Sequence, residues 1–430
     1  MSSQRWASGA LMALLLTLLV AVIIGCGDAV GPANQPIDEL PRNLTAPEMA
    51  VIANSNAFGL ELWREVAARD ERTNLVLSPL SASMALGMTL NGAAAETFDA
   101  MRSTLGFGTL SQEEINEAYS GLIELLTTLD PDVVFTIANS VWANDQVTFH
   151  EAFLQAVAEA FDAQVESRDF SAPSTLDEIN AWVDQKTQGK IDRILEELRP
   201  ELVMLLLNAI YFDGAWQTRF DPADTRTATF FPSGGGTVDV EMMTLENQEV
   251  PFAATSEYAA VELPYGGGPF AMLVVVPSAG TDARTFLQGL TPSAWESIAG
   301  SLSVREVDAV SIPRWTLNYD GLLNDALKAM GMDVAFGTGA DFTNMSPAGD
   351  QFCISFVRQK TFIEVDEEGT TAAAVTAVGV ALTSFTGIIA DRPFLFAIRE
   401  RLSGTLLFVG LVGDPTQEDS GPALDSSDCR

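Results

Sequence analysis

The chain has 430 residues, 47% of them hydrophobic and 8% aromatic, enough to bury a large core. Its formal net charge is −35, with only 23 basic residues. Nucleic acid would repel so acidic a protein, so no nucleic-acid partner is expected. The acid reads as a solvated surface, with a docking patch for a cationic partner as the alternative.

In chain order, Arg5 precedes an almost unbroken apolar run over residues 10–24. A bilayer-spanning helix needs roughly twenty apolar residues, so this shorter run reads as the core of a signal peptide. It ends Ile23-Ile24-Gly25-Cys26, which resembles a bacterial lipobox. Residues 1–25 are therefore expected to be a lipoprotein signal peptide, with Cys26 lipidated as the mature N-terminus; an ordinary secretory signal is the alternative. A diacylated cysteine anchors stably. The expected location is the cell envelope, on the periplasmic or extracellular face, with no other contact to the membrane. Residues 26–47, rich in Gly, Pro, Ala and Asp, read as a flexible tether.

The globular part opens on Thr45-Ala46-Pro47-Glu48, a capping box with proline in the first turn. Met49, Ile52, Leu62 and Val66 keep rough helical spacing behind it. Ser78-Pro79-Leu80-Ser81 starts a second helix running through Leu90. Residues 203–212, 270–276 and 405–412 are nearly continuous apolar runs, the pattern of strands buried on both faces. Helices and strands intersperse without a strict repeat, which predicts an α+β fold in one large domain over 48–415, followed by a polar acidic tail at 416–430.

Catalytic and metal motifs are missing. The only histidine, His150, lies between Phe149 and Glu151 and reads as a surface or helix-start residue. No HExxH, CxxC or GxSxG spacing occurs, so neither a metal site nor a hydrolase is expected, and no cofactor is implied. The glycine runs at 234–236 and 266–268 lack a phosphate-loop lysine and read as turns. Cys353, in a strand-like apolar run over 352–357, reads as a buried thiol; a disulfide to Cys429 stays open.

The informative stretch is 363–396. After Glu364-Val365-Asp366-Glu367-Glu368-Gly369, residues 370–390 carry neither charge nor proline. Alternate residues Thr370, Ala372, Ala374, Thr376, Val378 and Val380 could all be buried on one face of a sheet. Local pattern alone does not separate this from an ordinary strand.

Glu367-Glu368-Gly369-Thr370-Thr371-Ala372-Ala373-Ala374 resembles the hinge of inhibitory serpins, and Asp391-Arg392-Pro393-Phe394-Leu395-Phe396 resembles the family's C-terminal signature. Asn74-Leu75-Val76-Leu77-Ser78-Pro79-Leu80-Ser81, Ile179-Asn180-Ala181-Trp182-Val183, Leu207-Asn208-Ala209-Ile210-Tyr211-Phe212 and Glu262-Leu263-Pro264-Tyr265 are similar to further family motifs, in the expected order. The chain is identified as a member of the serpin family, and the resemblance covers roughly residues 48–415.

The resemblance implies three β-sheets, eight or nine helices and an exposed reactive loop. It implies an irreversible inhibitor, not an enzyme, acting as a monomer. A serine protease cuts the loop and is held as a covalent acyl complex while the loop inserts into the central sheet. Insertion adds roughly ten ladder hydrogen bonds at about 1 kcal/mol each. A buried charge would oppose it, and this loop has none. By position, Thr370 enters first and Ala372 to Ala374 keep the hinge small. Ser78, Ser81 and Asn208 would line the shutter, where the sheet parts, and Trp216 would stand at the breach, where the loop enters.

Two departures stand out. Gln359 occupies the position of the usual shutter histidine, and glutamine can both donate and accept. Thr371 replaces a frequent acid. The loop is one residue short, so counting from Glu367 gives Thr383–Ser384 as the cleaved bond and counting back from Pro393 gives Leu382–Thr383; the second is preferred. No lysine or arginine lies between positions 361 and 391, so chymotrypsin-, elastase- or subtilisin-like targets are expected, with papain-like cysteine proteases next. The alternative is a non-inhibitory serpin acting as a cell-surface binding or chaperone-like protein.

Overall fold

The computed structural model describes residues 36–108, 110–369 and 385–417. The expectations for Cys26, Thr370 to Ala374, Leu382, Thr383, Ser384 and Cys429 therefore lie outside the described residues.

The capping box forms as read. The Thr45 hydroxyl accepts from the Glu48 amide at 3.2 Å, and the Glu48 carboxylate accepts from the Thr45 amide at 2.7 Å. This starts the helix Ala46–Arg69, which buries Val51, Phe58, Leu62 and Trp63 along one side. Arg42 reaches the same carboxylate at 2.6 Å. Its hydrogen bond holds the Glu48 carboxyl below the usual range, against the opposing effect of burial. Ser78 caps the helix Pro79–Leu90, its hydroxyl accepting from the Ser81 amide at 3.2 Å. That helix packs against the strands Met204–Gly214 and Leu406–Val412, which is why nearly all of its residues are buried.

Nine α-helices and three sheets occur among the described residues, matching the expected α+β fold. The nine-stranded sheet runs in the order Leu75–Leu77, Leu406–Val412, Phe394–Glu400, Phe270–Pro277, Tyr258–Pro264, Val238–Ala254, Ser303–Pro313, Gly387–Ile389, with Arg226–Phe230 also paired to Val238–Ala254. Its centre is apolar: every residue of Phe270–Pro277 is buried, as expected of a strand covered on both faces. Trp315 packs edge-on to Phe394, ring centroids 5.2 Å apart, and lies 5.7 Å from Phe396. The glycine runs turn as read, between Arg226–Phe230 and Val238–Ala254 and between Tyr258–Pro264 and Phe270–Pro277. His150 is exposed at the start of the helix Glu151–Phe161.

The two smaller sheets carry the site. One has the strands Ala163–Arg168, Val133–Asn144 and Met204–Gly214; the other pairs Trp315–Leu322 with Arg358–Val365. Among the described residues no ladder joins Met204–Gly214 to Arg358–Val365, and each leaves one edge open.

Three expectations are corrected here. The run at 203–212 does form a strand, but Leu206, Leu207, Ile210 and Tyr211 are only half-buried, because its open edge faces the gap. Residues 352–357 are not a strand. They run irregularly and half-buried past the same gap, apolar without a ladder. Cys353 within them is not a free thiol but is disulfide-bonded.

Candidate functional site: a gap in the central sheet

The gap is closed at one end. The C-terminal ends of Met204–Gly214 and Arg358–Val365 meet there, so the two strands point the same way. An isolated bridge joins Ala215 to Gly369, and the Trp216 amide donates to the Glu368 carbonyl at 2.8 Å. The Trp216 indole donates to the Asp366 carbonyl at 2.8 Å and stacks on Tyr265 with centroids 4.4 Å apart. Gly369 has a φ of +147°. A Cβ there would sit 2.1 Å from the Gly214 carbonyl oxygen, so glycine is what lets the two backbones touch.

Beneath this contact the Glu367 side chain is 0% exposed and fully engaged. Arg314 grips it with Nη2 at 2.6 Å and Nε at 2.8 Å, and the Thr225 hydroxyl donates to it as well. Burial pushes the Glu367 carboxyl up, but the Arg314 and Thr225 hydrogen bonds outweigh it and hold the group below the usual range. Arg314 and Thr225 are the residues sequence reasoning missed. Arg314 left a trace, a lone cation inside Ser311-Ile312-Pro313-Arg314-Trp315; Thr225 left none.

Below the latch the gap opens into a cavity of about 150 Å³, lined among others by Ser81, Leu205, Asn208, Phe356 and Gln359. The Gln359 amide holds the backbone of Ser78 at both its peptide groups: it accepts from the Ser78 amide and donates to the Ser78 carbonyl, each at 2.9 Å. The Ser78 hydroxyl donates to the Leu407 carbonyl at 2.7 Å. Across the gap, Asn208 donates to Asn139 at 2.7 Å, and Asn139 donates to the Phe161 carbonyl at 2.6 Å. Among the described residues, the buried oxygens Asn208 Oδ1 and Thr361 Oγ1 have no hydrogen-bond partner. So Ser78, Ser81, Asn208 and Gln359 lie together at one place, and Trp216 stands with Glu367, Glu368 and Gly369 at the other.

A cover lies across the gap. The segment after the helix Pro173–Lys186 is tied to the strand Arg358–Val365 by two lysines. Lys190 pairs with Glu364 at 2.8 Å, and Lys360 donates to the Arg193 carbonyl at 2.6 Å.

The sheet thus presents two facing open edges with a void between them and a latched end, and an open edge is where a further strand can pair. Comparison with known proteins gives the family. The family model described as Serpin (serine protease inhibitor) matches residues 53–415. Iripin-5 of Ixodes ricinus is 33% identical over 368 residues, 83% of this chain and 93% of its own length. Neuroserpin of Gallus gallus is 31% identical over 372 residues, covering 83% and 90%. Among solved structures, the thermophilic serpin tengpin in its native state superposes with a TM-score of 0.77 at 32% identity, over 88% of this chain and 97% of that one. Thyroxine-binding globulin, solved in complex with thyroxine, gives 0.76 at 27% identity, over 85% and 99%. The chain belongs to the serpin family.

Proposed function

We propose that the protein is an irreversible inhibitor of serine endopeptidases that works by inserting its own loop. The observation that carries this reading is the open gap between Met204–Gly214 and Arg358–Val365, at whose latched end Gly369 leads into the uncharged run 370–390. Thr370 and Ala372 to Ala374 are small enough to follow Gly369 into the gap. Parting the strands breaks the contacts at Trp216 and Glu367, and the added strand returns a full ladder on both edges. The scissile bond is Leu382–Thr383, or Thr383–Ser384, and apolar neighbours direct it to chymotrypsin-, elastase- or subtilisin-like proteases. Cys26 carries the lipid that holds the protein at the cell envelope, with 26–47 as the tether.

A non-inhibitory binding role is the second reading, favoured by the similarity to thyroxine-binding globulin; the small hinge residues speak against it. Incubation with chymotrypsin, elastase, subtilisin and trypsin separates the two. The inhibitory reading expects a complex with one of the first three that survives denaturing electrophoresis, and a new N-terminus at Thr383 or Ser384. Cleavage of the loop without any such complex overturns it. Cys26→Ser should move the protein from the detergent phase to the aqueous phase; equal partitioning would remove the anchor.

A further inference from the structure

The latch has a corner of chain behind it, and that corner is itself held from behind. Residues 265–269 join the strands Tyr258–Pro264 and Phe270–Pro277. Tyr265 stacks on Trp216 with the ring planes 13° apart, and the Gly266 amide donates to the Ala215 carbonyl at 2.9 Å. The Gln217 amide donates to the Pro264 carbonyl at 2.8 Å. Ala215 is the residue bridged to Gly369. The position of this corner therefore sets the position of the Ala215–Trp216 half of the latch.

A corner with glycine at 266, 267 and 268 has no side chains there to fix it, yet Gly267 and Gly268 are buried. Outside groups take both polar atoms of the Gly267 backbone. Asp130 Oδ2 accepts from the Gly267 amide at 2.8 Å, and the Ile37 amide donates to the Gly267 carbonyl at 2.9 Å. The packing is close. A Cβ on Gly266 would lie 2.7 Å from Asp130 Oδ2, and one on Gly267 would lie 3.1 Å from Ile37 Cδ1. Asp130 is 5% exposed, and its other oxygen accepts from the Asp132 amide at 2.9 Å. That local bond makes the turn into the strand Val133–Asn144 and orients the carboxylate; the second oxygen is directed at the corner.

We propose that Asp130 is a positioning residue for the latch, and that Ile37 completes a brace tying the start of the globular part to the closed end of the gap. Neither residue lies on the strands that border the gap. Both hold the corner so that Tyr265 and Gly266 stay against Trp216 and Ala215. When the brace loosens, that half of the latch loses its backing, and its contacts with Glu368 and Gly369 open more often. The proposal concerns the resting latch and stands whether or not the loop inserts.

Hydrogen exchange of the Trp216 amide, which donates to the Glu368 carbonyl, reads latch opening directly. In the full-length protein, Asp130→Ala should raise that exchange rate about tenfold, while the amides of Phe270–Pro277 keep their wild-type rates. Asp130→Asn still offers an oxygen to the Gly267 amide and should recover most of the protection. Ile37→Pro removes the amide donor and should raise the rate about threefold. In a Glu367→Gln background, where the latch is already weakened, Asp130→Ala should have a smaller effect than it has alone. Unchanged Trp216 exchange in Asp130→Ala overturns the proposal. So does an increase shared by Phe270–Pro277, or a double variant whose single effects simply multiply, since either marks a general loss of stability. An unchanged rate in Ile37→Pro overturns the brace, and this variant decides alone if Asp130→Ala does not fold.

Discussion

The two ends of the gap are held by different physics. At the latched end a carboxylate, a guanidinium, a hydroxyl, an indole and two backbones converge on Glu367 and Gly369. At the open end one glutamine grips the backbone of one serine, one asparagine reaches another, and among the described residues Asn208 Oδ1 lacks a partner beside a cavity of about 150 Å³, as does Thr361 Oγ1 two residues along the strand from Gln359. Charge-assisted bonds hold the first region shut, while the second is already loose. On the inhibitory reading proposed above, a sheet that stays closed until the loop is cut and then opens along its length needs both: the barrier would sit where the loop starts, and the path beyond would offer little resistance.

The most severe way to break this arrangement is to charge the incoming strand. Thr370→Arg would bring a cation to the latched end at the first insertion step, and burying it unpaired costs several kcal/mol. The loop should still be cut, but covalent complexes should vanish, leaving the protein a substrate. Undiminished complex formation would show that insertion is not the mechanism.

Weakening the latch itself comes next. Glu367→Gln leaves Arg314 without its counter-charge; Arg314 is 27% exposed, so water recovers part of the loss and the cost should be about 2 kcal/mol. The sign with pH follows from the direction of the shift. The Glu367 carboxyl titrates below its ordinary 4.5, so its pair contributes fully above that value. The contribution fades as pH falls from there through the lower folded value. The stability gap between wild type and Glu367→Gln, read from the first thermal unfolding transition, should narrow over that acidic range. A gap independent of pH would mean the ion pair is not what latches the sheet.

At the open end the effects shrink and then change sign. Gln359→Ala strips the partners from the Ser78 amide and carbonyl, but the adjoining cavity admits water, so about 1–2 kcal/mol is expected in denaturant titrations. Thr361→Val removes a buried hydroxyl that has no hydrogen-bond partner among the described residues and should stabilise the native state by about 1 kcal/mol. It should also slow insertion, seen as a higher stoichiometry of inhibition. Destabilisation by Thr361→Val would show that the hydroxyl is satisfied in solution and that the open end is less loose than described.

Much of this was legible in the sequence because it is local. Thr45 to Glu48 and Ser78 to Ser81 spell their own helix starts. What escaped is long-range or depends on an edge. Glu367 meets Arg314 and Thr225 only after the strands stack, and nothing near Thr225 signals a carboxylate far along the chain. The apolar runs at 203–212 and 352–357 read alike, yet one is a strand with an open edge and the other an irregular crossing. Hydrophobicity reports burial and is silent about which backbone groups find a ladder. Cys353 was misread for the same reason, as its disulfide partner is set by the fold and not by its neighbours.

The cover over the gap gives the molecule a built-in reporter. Lys186, Lys190, Lys328 and Lys360 are its only lysines, and two of the four fasten that cover, through Glu364 and the Arg193 carbonyl. Lifting the cover frees Lys190 and takes the Arg193 carbonyl from Lys360, which keeps the Asp320 carboxylate at 3.2 Å on the neighbouring strand. On the proposed mechanism, a primary-amine acylating reagent would then mark Lys190 faster in a strand-accepting molecule than in a resting one, with three other side-chain amines as background, so lysine chemistry on the unaltered protein would time the passage of the loop.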